Sequence, residues 1–285
     1  MLARAAIVTA VAQAIGIDIG GTGIKGGVVD LDTGELISER VKRPTPEGGE
    51  PDDVVKVVTS ILAELEATDD AAPIGVCFPA VVRNGRTMSA ANVSQKWIGL
   101  QAEQLFERAL AHDITFVNDA DAAGYAESEY GAAKGKDGLI LMTTLGTGIG
   151  SAIIYRNQLV PNAELGHLDI GPHRDYEKYA SNLVREKREL SWKRWAGRLQ
   201  TYYATLERLF SPDLFIVGGG VSKHADEFLP FIELDTPIVA AALRNNAGIL
   251  GAAALAAHEV GQRPTGGAEH LVSVANDDAK DAAPA

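Results

Sequence analysis

Two glycine-rich turns at equivalent places constrain the fold of this 285-residue chain more than any other feature. Residues 20–24 read Gly-Gly-Thr-Gly-Ile and follow an apolar run at residues 14–19. Residues 146–150 read Gly-Thr-Gly-Ile-Gly and follow an apolar run at residues 139–142. Because the unit of strand, glycine turn and strand occurs twice, it predicts two related halves. Backbone N–H groups that converge at such turns favour an anionic ligand.

Apolar periodicity extends the repeat along the chain. Residues 14–43 and 138–160 predict three-stranded meanders, and buried strands are predicted at 74–78, 114–117 and 214–217. Helical patterns occupy residues 52–66, 105–111, 119–131, 174–210 and 246–259. The order βββ-α-β-α, given twice, predicts an α/β protein of two similar lobes.

The lobe boundary is predicted near Val117. The sequence predicts four parts of the chain: an N-terminal extension (1–13), a smaller lobe (14–117 plus 246–259), a larger lobe (118–245) and a disordered tail (260–285). The tail is rich in Gly, Ala, Asp and Pro. The first residues resemble a signal peptide weakly, but they continue into the first strand. We therefore expect no secretion.

Charge and cysteine content exclude several classes of protein. The 26 basic and 38 acidic side chains give a net charge of −12, which disfavours a nucleic-acid binder. No apolar run is long enough to span a bilayer, so no membrane partner is expected. A single cysteine, Cys77, lies in an apolar run and excludes an internal disulfide or a cysteine metal cluster. We expect a buried, inert thiol and a cytoplasmic protein.

The first turn also matches a dinucleotide-binding fingerprint, which we reject. Gly21, Gly23 and Gly26 satisfy G-x-G-x-x-G after a strand, but that motif must open a helix whose N-terminus holds the pyrophosphate. Residues 24–31 instead predict a second strand. The turns are therefore interpreted as hairpins that grip phosphate, with hydroxyl donors from Thr22 and Thr147.

Polar residues with candidate chemistry follow several predicted strands. Asp18 ends the first strand, where it either caps a turn or helps to hold Mg²⁺ through water beside a phosphate. Asn118 and Asp119 lie at a strand-to-helix junction, as a helix cap or as a general base. Spacing alone does not separate Asp119 from Asp121 as the base.

A locally basic segment stands out in this acidic chain. Residues 174–198 hold eight basic side chains against Asp175, Glu177, Glu186 and Glu189. Two interpretations of this segment stay open. It is either a solvated helix face with i,i+4 ion pairs or a binding track for a polyanion. The candidate track residues are Lys178, Arg185, Lys187 and Arg188.

Five motifs occur in the order found in ROK-family sugar kinases, which the chain resembles over about residues 14–258. They are Asp-Ile-Gly-Gly-Thr at 18–22, Asn-Asp-Ala at 118–120, Gly-Thr-Gly-Ile-Gly at 146–150, Glu-Leu-Gly-His at 164–167 and Gly-Gly-Gly-Val-Ser at 218–222. The resemblance implies a two-lobed, actin-like (ribonuclease H-like) sugar kinase fold. It also implies a homodimer.

Within that family, segments such as 118–124, 159–167 and 210–216 are most similar to the polyphosphate-dependent glucokinases. The resemblance implies transfer of the terminal phosphate of inorganic polyphosphate, and often of ATP, to the 6-hydroxyl of glucose, with Mg²⁺ as cofactor. It implies Asp119 as catalytic base, and the implied glucose contacts are Asn92, Asn118, Asp119, Glu164, His167 and Glu177. The predicted phosphate contacts are Gly20, Gly21, Thr22, Gly23, Lys25, Thr147, Gly148, Gly219 and Gly220.

One departure from the family pattern concerns zinc. Many members carry a C-x-C-G-x-x-G-C cluster after the Glu-x-Gly-His motif, whereas residues 168–174 here contain no cysteine. We therefore expect no structural zinc and expect His167 to be free for sugar. Two alternatives to the polyphosphate enzyme stay open, an ATP-only kinase of the same fold and a non-catalytic sugar sensor.

Overall fold

Two β-sheets, one from each half of the chain, form the centre of the computed structural model, which describes residues 12–65, 72–90 and 93–262. The strands of the first sheet are β1 (Gln13–Ile19), β2 (Gly23–Asp30), β3 (Glu35–Leu36), β4 (Val41–Pro44), β5 (Ile74–Phe78) and β8 (Ile114–Asn118). A separate hairpin pairs β6 (Val82–Arg83) with β7 (Arg86–Thr87). The second sheet contains β9 (Leu139–Leu145), β10 (Ile149–Tyr155), β11 (Gln158–Val160), β12 (Leu214–Gly218) and β13 (Ile238–Ala240).

The two sheets share one topology. Their strand orders are β3-β2-β1-β5-β8 and β11-β10-β9-β12-β13, and in each the antiparallel meander continues into two parallel strands. This result agrees with the predicted duplication. Residues 13–44 hold four strands where the sequence predicted three, because the short strands β3 and β4 both pair with β2. The structure also adds β13 and the β6–β7 hairpin, whose strands of two or three residues are too short to show a periodic pattern.

The described part of the chain contains eight α-helices. They are α1 (Pro51–Glu64), α2 (Ala102–Leu110), α3 (Asp119–Glu129), α4 (Glu177–Ala180), α5 (Asn182–Lys187), α6 (Trp192–Phe210), α7 (Ala225–Phe228) and α8 (Ala247–Gln262). The predicted helical region 174–210 is therefore three helices. A break at Ser181 and the Ser191 side chain, which caps α6 by accepting from the Arg194 N–H, separate them.

Each lobe has its own aromatic core. In the first, Phe78, Trp97, Phe106 and Phe116 pack together, and Trp97 is fully buried with its indole N–H donating to the Gly49 carbonyl at 2.8 Å. Trp97 is therefore a core residue and not a stacking platform for a ligand. Cys77 is buried and free, as the sequence predicted.

Helices α3 and α8 pack against each other and join the two halves. Helix α8 follows the second sheet but packs on β1 and β5 of the first, while α3 follows the first sheet but packs on β9 and β10 of the second. A Cβ on Gly251 of α8 would lie 1.7 Å from the Ala122 carbonyl oxygen of α3. Only glycine allows backbones to approach so closely.

The domain bounds stay a prediction. Residues 1–11 and 263–285, which include most of the predicted extension and tail, lie outside the described residues. Among the helices that are described, none has both the length and the apolar character that a bilayer crossing requires.

Candidate active site

A cavity of about 610 Å³ is lined by residues from both halves of the chain. The parallel strands β1, β5 and β8 end at one edge of the first sheet, where ligand groups gather in α/β proteins. Ten of the predicted site residues meet at this cavity: Gly20, Gly21, Asn118, Asp119, Thr147, Gly148, Glu164, His167, Glu177 and Gly219.

The structure gives Asp119 and Asp121 different surroundings. Asp119, the first residue of α3, lines the cavity. Burial first, and then the charge of Asp18, raise its pKa to about 7. Asp121 is 2% exposed, does not line the cavity, and accepts the Asn162 N–H at 2.7 Å. The geometry therefore favours Asp119 as the group that meets a ligand.

Asn118 is the N-cap of α3. Its Oδ1 accepts from the Ala120 and Asp121 N–H groups at 2.8 and 3.0 Å, and its Nδ2 donates to the Ala80 carbonyl at 3.0 Å. These bonds fix the start of the helix and thereby the position of Asp119. The amide has one remaining N–H for a ligand.

Glu164, His167 and Glu177 form a polar wall of the cavity. His167 Nε2 lies 3.6 Å from Glu164 Oε2, and its Nδ1 lies 4.0 Å from Glu177 Oε1. Burial raises the pKa of the Glu164 carboxyl, and a hydrogen bond to Asp175 raises the pKa of the His167 imidazole. Carboxylates and an imidazole in this arrangement offer paired acceptors and donors for hydroxyl groups.

Two residues whose roles the sequence did not indicate, Ser151 and Asn162, hold this wall in place. The Ser151 hydroxyl donates to the Ala163 carbonyl at 2.6 Å and accepts the Leu165 N–H at 2.9 Å, so it fixes the loop around Glu164. Asn162 bonds both the N–H and the carbonyl of Val82, at 2.7 and 2.8 Å. No local pattern marks these roles, because each depends on a partner distant in sequence.

The two glycine turns occupy equivalent places but differ in length. Ile19 pairs with Ile24 across the first turn, with four residues between them, whereas Leu145 pairs with Ile149 across the second, with three. In each turn the first glycine N–H donates back across the turn, from Gly20 to the Gly23 carbonyl at 3.0 Å and from Gly146 to the Gly148 carbonyl at 3.1 Å. Gly20 and Gly21 of the first turn and Gly146, Thr147 and Gly148 of the second line the cavity.

Glu177 contacts the second turn. Its Oε2 accepts the Ile149 N–H at 2.9 Å, and a Cβ on Gly148 would lie 2.3 Å from that oxygen. Gly148 therefore makes room for the Glu177 carboxylate, a role that the sequence did not indicate.

Asp18 and Lys25 are directly opposite each other on β1 and β2 and form an ion pair of 2.9 Å. The Lys25 ammonium, a predicted phosphate contact, is thus already shared with a carboxylate. The Cys77 sulfur lies 3.7 Å from Asp18 Oδ1, and burial raises the pKa of this thiol well above its ordinary value.

Five other predicted residues in the described part of the chain do not line the cavity: Asp18, Lys25, Thr22, Gly23 and Gly220. Thr22 is exposed, Gly23 is buried in β2 and Gly220 opens a short 3₁₀-helix. Asn92 lies outside the described residues.

The four candidate track residues have different surroundings. Lys178 pairs with Asp175 at 2.7 Å, and the Arg185 guanidinium lies 3.9 Å from the Trp192 ring centre. Lys187 and Arg188 are exposed. They differ from Lys178, which is also exposed but whose charge is paired with Asp175.

Comparison with known proteins identifies similar sugar kinases by sequence. The ROK family model matches residues 14–178. Polyphosphate glucokinase of Mycobacterium leprae is 46% identical, covering 85% of this chain and 74% of that protein. Polyphosphate glucokinase of Mycobacterium tuberculosis (strain CDC 1551 / Oshkosh) is 45% identical, with coverages of 84% and 89%.

Two solved structures share the fold. The inorganic polyphosphate/ATP-glucomannokinase of Arthrobacter sp. strain KM is 51% identical, with a TM-score of 0.83 over 87% of this chain and 99% of that one. A ROK family glucokinase of Streptomyces griseus, solved with glucose and AMPPNP, is 26% identical, with a TM-score of 0.75 and coverages of 86% and 99%. The predicted two-lobed sugar kinase fold is confirmed, and the chain belongs to the ROK family.

Proposed function

We propose that this chain transfers the terminal phosphate of inorganic polyphosphate, and that of ATP, to the 6-hydroxyl of glucose. The relatives from Mycobacterium are named polyphosphate glucokinases, and the Arthrobacter enzyme is named for both donors. One observation carries the proposal: the Asp119 carboxyl, with its pKa raised to about 7, shares a single cavity with two glycine turns and a wall of hydroxyl-binding groups.

In the proposed mechanism the chain's own residues bind glucose and accept one proton. Glu164, His167 and Glu177, with Asn118 and Asn92, hold the sugar hydroxyls. Asp119 takes the proton of the 6-hydroxyl as its oxygen attacks the phosphoryl group. A base whose pKa lies near the working pH is well matched to this step.

The glycine turns bind the transferred phosphoryl group in this proposal. Backbone N–H groups and the Thr147 hydroxyl act on charge that develops on the phosphoryl oxygens, which is where most of the rate in phosphoryl transfer comes from. Gly219, with a φ of +81° beside the Leu145 backbone, contributes a third stretch of backbone to the same cavity.

Mg²⁺ is the proposed cofactor, with Asp18 as the residue that would hold it through water. A contact through water fits better than direct ligation, because Lys25 pairs with Oδ2 of Asp18 and the Cys77 sulfur lies 3.7 Å from its Oδ1. Oxygen ligands of this kind suit magnesium. When bound, the ion supplies charge neutralisation at the phosphoryl oxygens.

A coupled assay for glucose 6-phosphate, run with polyphosphate and with ATP, tests the proposal. We expect activity with both donors and expect Asp119→Asn to lower kcat by about 10²- to 10⁴-fold. Glucose binding to this variant, measured by calorimetry, should stay within a few fold. Near-normal turnover of Asp119→Asn would overturn the assignment of the base.

Asp121→Asn is the matched control, because it makes the same chemical change two residues away and its amide oxygen can still accept the Asn162 N–H. We expect its kcat within a few fold of the parent. Activity with ATP alone would favour the ATP-only kinase. Glucose binding without turnover on either donor would favour the sugar sensor.

We also propose a homodimer and a cytoplasmic location. The family resemblance supports the first, and the single buried thiol is compatible with the second. Light scattering coupled to size-exclusion chromatography tests the dimer, since a mass near 30.1 kDa would show a monomer.

A further inference from the structure

The His167 ring is held by a hydrogen bond rather than by packing. Its side chain is 54% exposed, yet Nδ1 lies 2.8 Å from Asp175 Oδ1. A ring with so much free surface has several rotamers available in the absence of a partner. The contact with Asp175 selects one of them, and it also selects which ring nitrogen faces the cavity.

Asp175 is itself held by two contacts besides the one with His167. Its backbone N–H donates to Asp169 Oδ1 at 2.8 Å, and its Oδ2 pairs with Lys178 Nζ at 2.7 Å. Its φ of +54° is the left-handed conformation, which side chains other than glycine adopt rarely and Asp tolerates better than most. The loop closes where the Tyr176 N–H donates to the Leu168 carbonyl at 2.9 Å. A carboxylate anchored in this way is a rigid acceptor.

We propose that Asp175 is a positioning residue for the sugar site, whose carboxylate accepts the Nδ1–H of His167 and so presents Nε2 to a glucose hydroxyl next to Glu164. The proposal rests on the proposed function, because it takes His167 as a sugar contact. The inference goes beyond the proposed function, because it assigns a role to Asp175, which does not line the cavity.

The hydrogen-bond chemistry supports this role. With Nδ1–H given to Asp175, the state of Nε2 depends only on whether the ring is charged. As imidazolium, Nε2–H donates to a sugar hydroxyl, and that hydroxyl can donate in turn to Glu164 Oε2, which lies 3.6 Å from Nε2. One hydroxyl group therefore satisfies both side chains.

The charges around the ring favour the imidazolium. Three carboxylates face it, with Asp175 at 2.8 Å, Glu164 at 3.6 Å and Glu177 at 4.0 Å, while Lys178 reaches the site through Asp175. The hydrogen bond to Asp175 is the largest cause of the raised pKa of His167. Since the charged form is stabilised, the donor at Nε2 is present at low pH and is lost as pH rises through the pKa of the ring.

Steady-state kinetics of Asp175→Ala and Asp175→Asn test the proposal. We expect Asp175→Ala to raise KM for glucose by about tenfold, as loss of one charge-assisted hydrogen bond predicts, with kcat and the donor KM within a few fold. Asp175→Asn keeps an acceptor for Nδ1–H but removes the charge. Its KM should rise less, and its increase in KM with pH should begin at lower pH than in the parent.

Asp169→Asn is the matched control, because it removes a charge from the same loop but can still accept the Asp175 N–H. We expect its KM and pH profile to stay unchanged. An equal shift in this control would overturn the proposal in favour of general loop electrostatics. An unchanged glucose KM in folded Asp175→Ala would also overturn the proposal.

A double-mutant cycle with His167→Ala separates positioning from a structural role. If Asp175 acts through His167, adding Asp175→Ala to His167→Ala raises the glucose KM no further. Additive effects would contradict the proposal.

Proton NMR titration of His167, assigned by its loss in His167→Ala, distinguishes failure of this inference from failure of the proposed function. A lower His167 pKa in Asp175→Asn shows the contact even in a protein that phosphorylates no sugar. An unchanged pKa overturns the inference even in an active kinase.

Discussion

Asp119 and Asp121 show how surroundings divide two carboxylates that lie within one turn of α3. The Asp121 carboxyl, with its pKa also raised to about 7 by burial, is bonded to the Asn162 backbone and lies away from the cavity. Asp119 has a similar pKa but lines the cavity. A raised pKa alone therefore does not identify a catalytic group in this protein, and the two carboxylates are distinguished because only Asp119 lines the cavity.

Gly148 is a second residue whose role depends on its partner. The sequence predicts a phosphate contact, whereas the structure places the Glu177 carboxylate where a Cβ would lie. We expect Gly148→Ala to displace Glu177 and raise KM for glucose about tenfold, since Glu177 is a proposed sugar contact. Initial rates at varied glucose and varied donor measure both KM values.

Gly146→Ala is the comparison for this prediction, because a Cβ at Gly146 meets no atom within 4 Å. Its glucose KM should stay unchanged. If Gly148→Ala instead raises only the donor KM, Gly148 serves phosphate binding and the predicted role is the correct one.

At the scale of elements, the contact between α3 and α8 joins the lobes. Gly251 brings α8 onto the α3 backbone, while Gly16 of β1 and Gly75 of β5 bring the first sheet onto α8. A Cβ on either of these two glycines would lie 1.9 Å from a carbonyl oxygen of α8. These three glycines therefore determine how closely α3, β1 and β5 can approach α8.

Gly251→Ala should therefore destabilise the protein. A methyl group 1.7 Å from the Ala122 oxygen forces the helices apart, and overpacking of this kind costs about 1–3 kcal/mol. For a domain of this size each kcal/mol lowers Tm by about 2–4 °C. Differential scanning calorimetry measures the change.

Gly197→Ala is the matched control in the interior of α6. Gly197 is exposed and a Cβ there meets no atom within 4 Å, so alanine should stabilise the helix by about 0.5–1 kcal/mol. Equal Tm values for the two variants would show that the α3–α8 contact is not tight.

Local patterns predicted most elements but not their lateral contacts. The apolar spacing of Val54, Val58 and Ile61 indicates α1 because a buried helix face repeats within a turn or two. The contact of Asp175 with His167, and of Ser151 with Leu165, joins residues 8 to 14 positions apart across loops. No periodic signal encodes such pairs, so the ligand groups were predictable while the residues that hold them were not.

At the scale of the whole molecule, a net charge of −12 opposes the approach of a polyanion. The basic end of α5 offsets this locally. The Leu183 N–H of α5 donates to the Gly146 carbonyl at 3.0 Å, which joins this helix to the second glycine turn. Lys187 and Arg188 are exposed at the other end of the same short helix.

Reversing both charges with Lys187→Glu and Arg188→Glu should weaken polyphosphate selectively. We expect the polyphosphate KM to rise at least tenfold and the ATP KM to change by less than about threefold, because a polymer extends beyond the turn and a nucleotide presents only three phosphates. The parent's polyphosphate KM should also rise with ionic strength, as screening weakens a charge contact between exposed groups. Initial rates at two salt concentrations measure both effects.

Lys134→Glu with Lys136→Glu provides the matched control. Both lysines are exposed, the pair changes the net charge by the same amount, and they follow the end of α3 that lies opposite Asp119. If this pair weakens polyphosphate equally, the whole-molecule charge governs the donor and α5 has no special part. If the Lys187 and Arg188 substitutions lower activity with ATP and polyphosphate alike, the basic end of α5 is not a polymer track, and the surface that selects polyphosphate lies elsewhere.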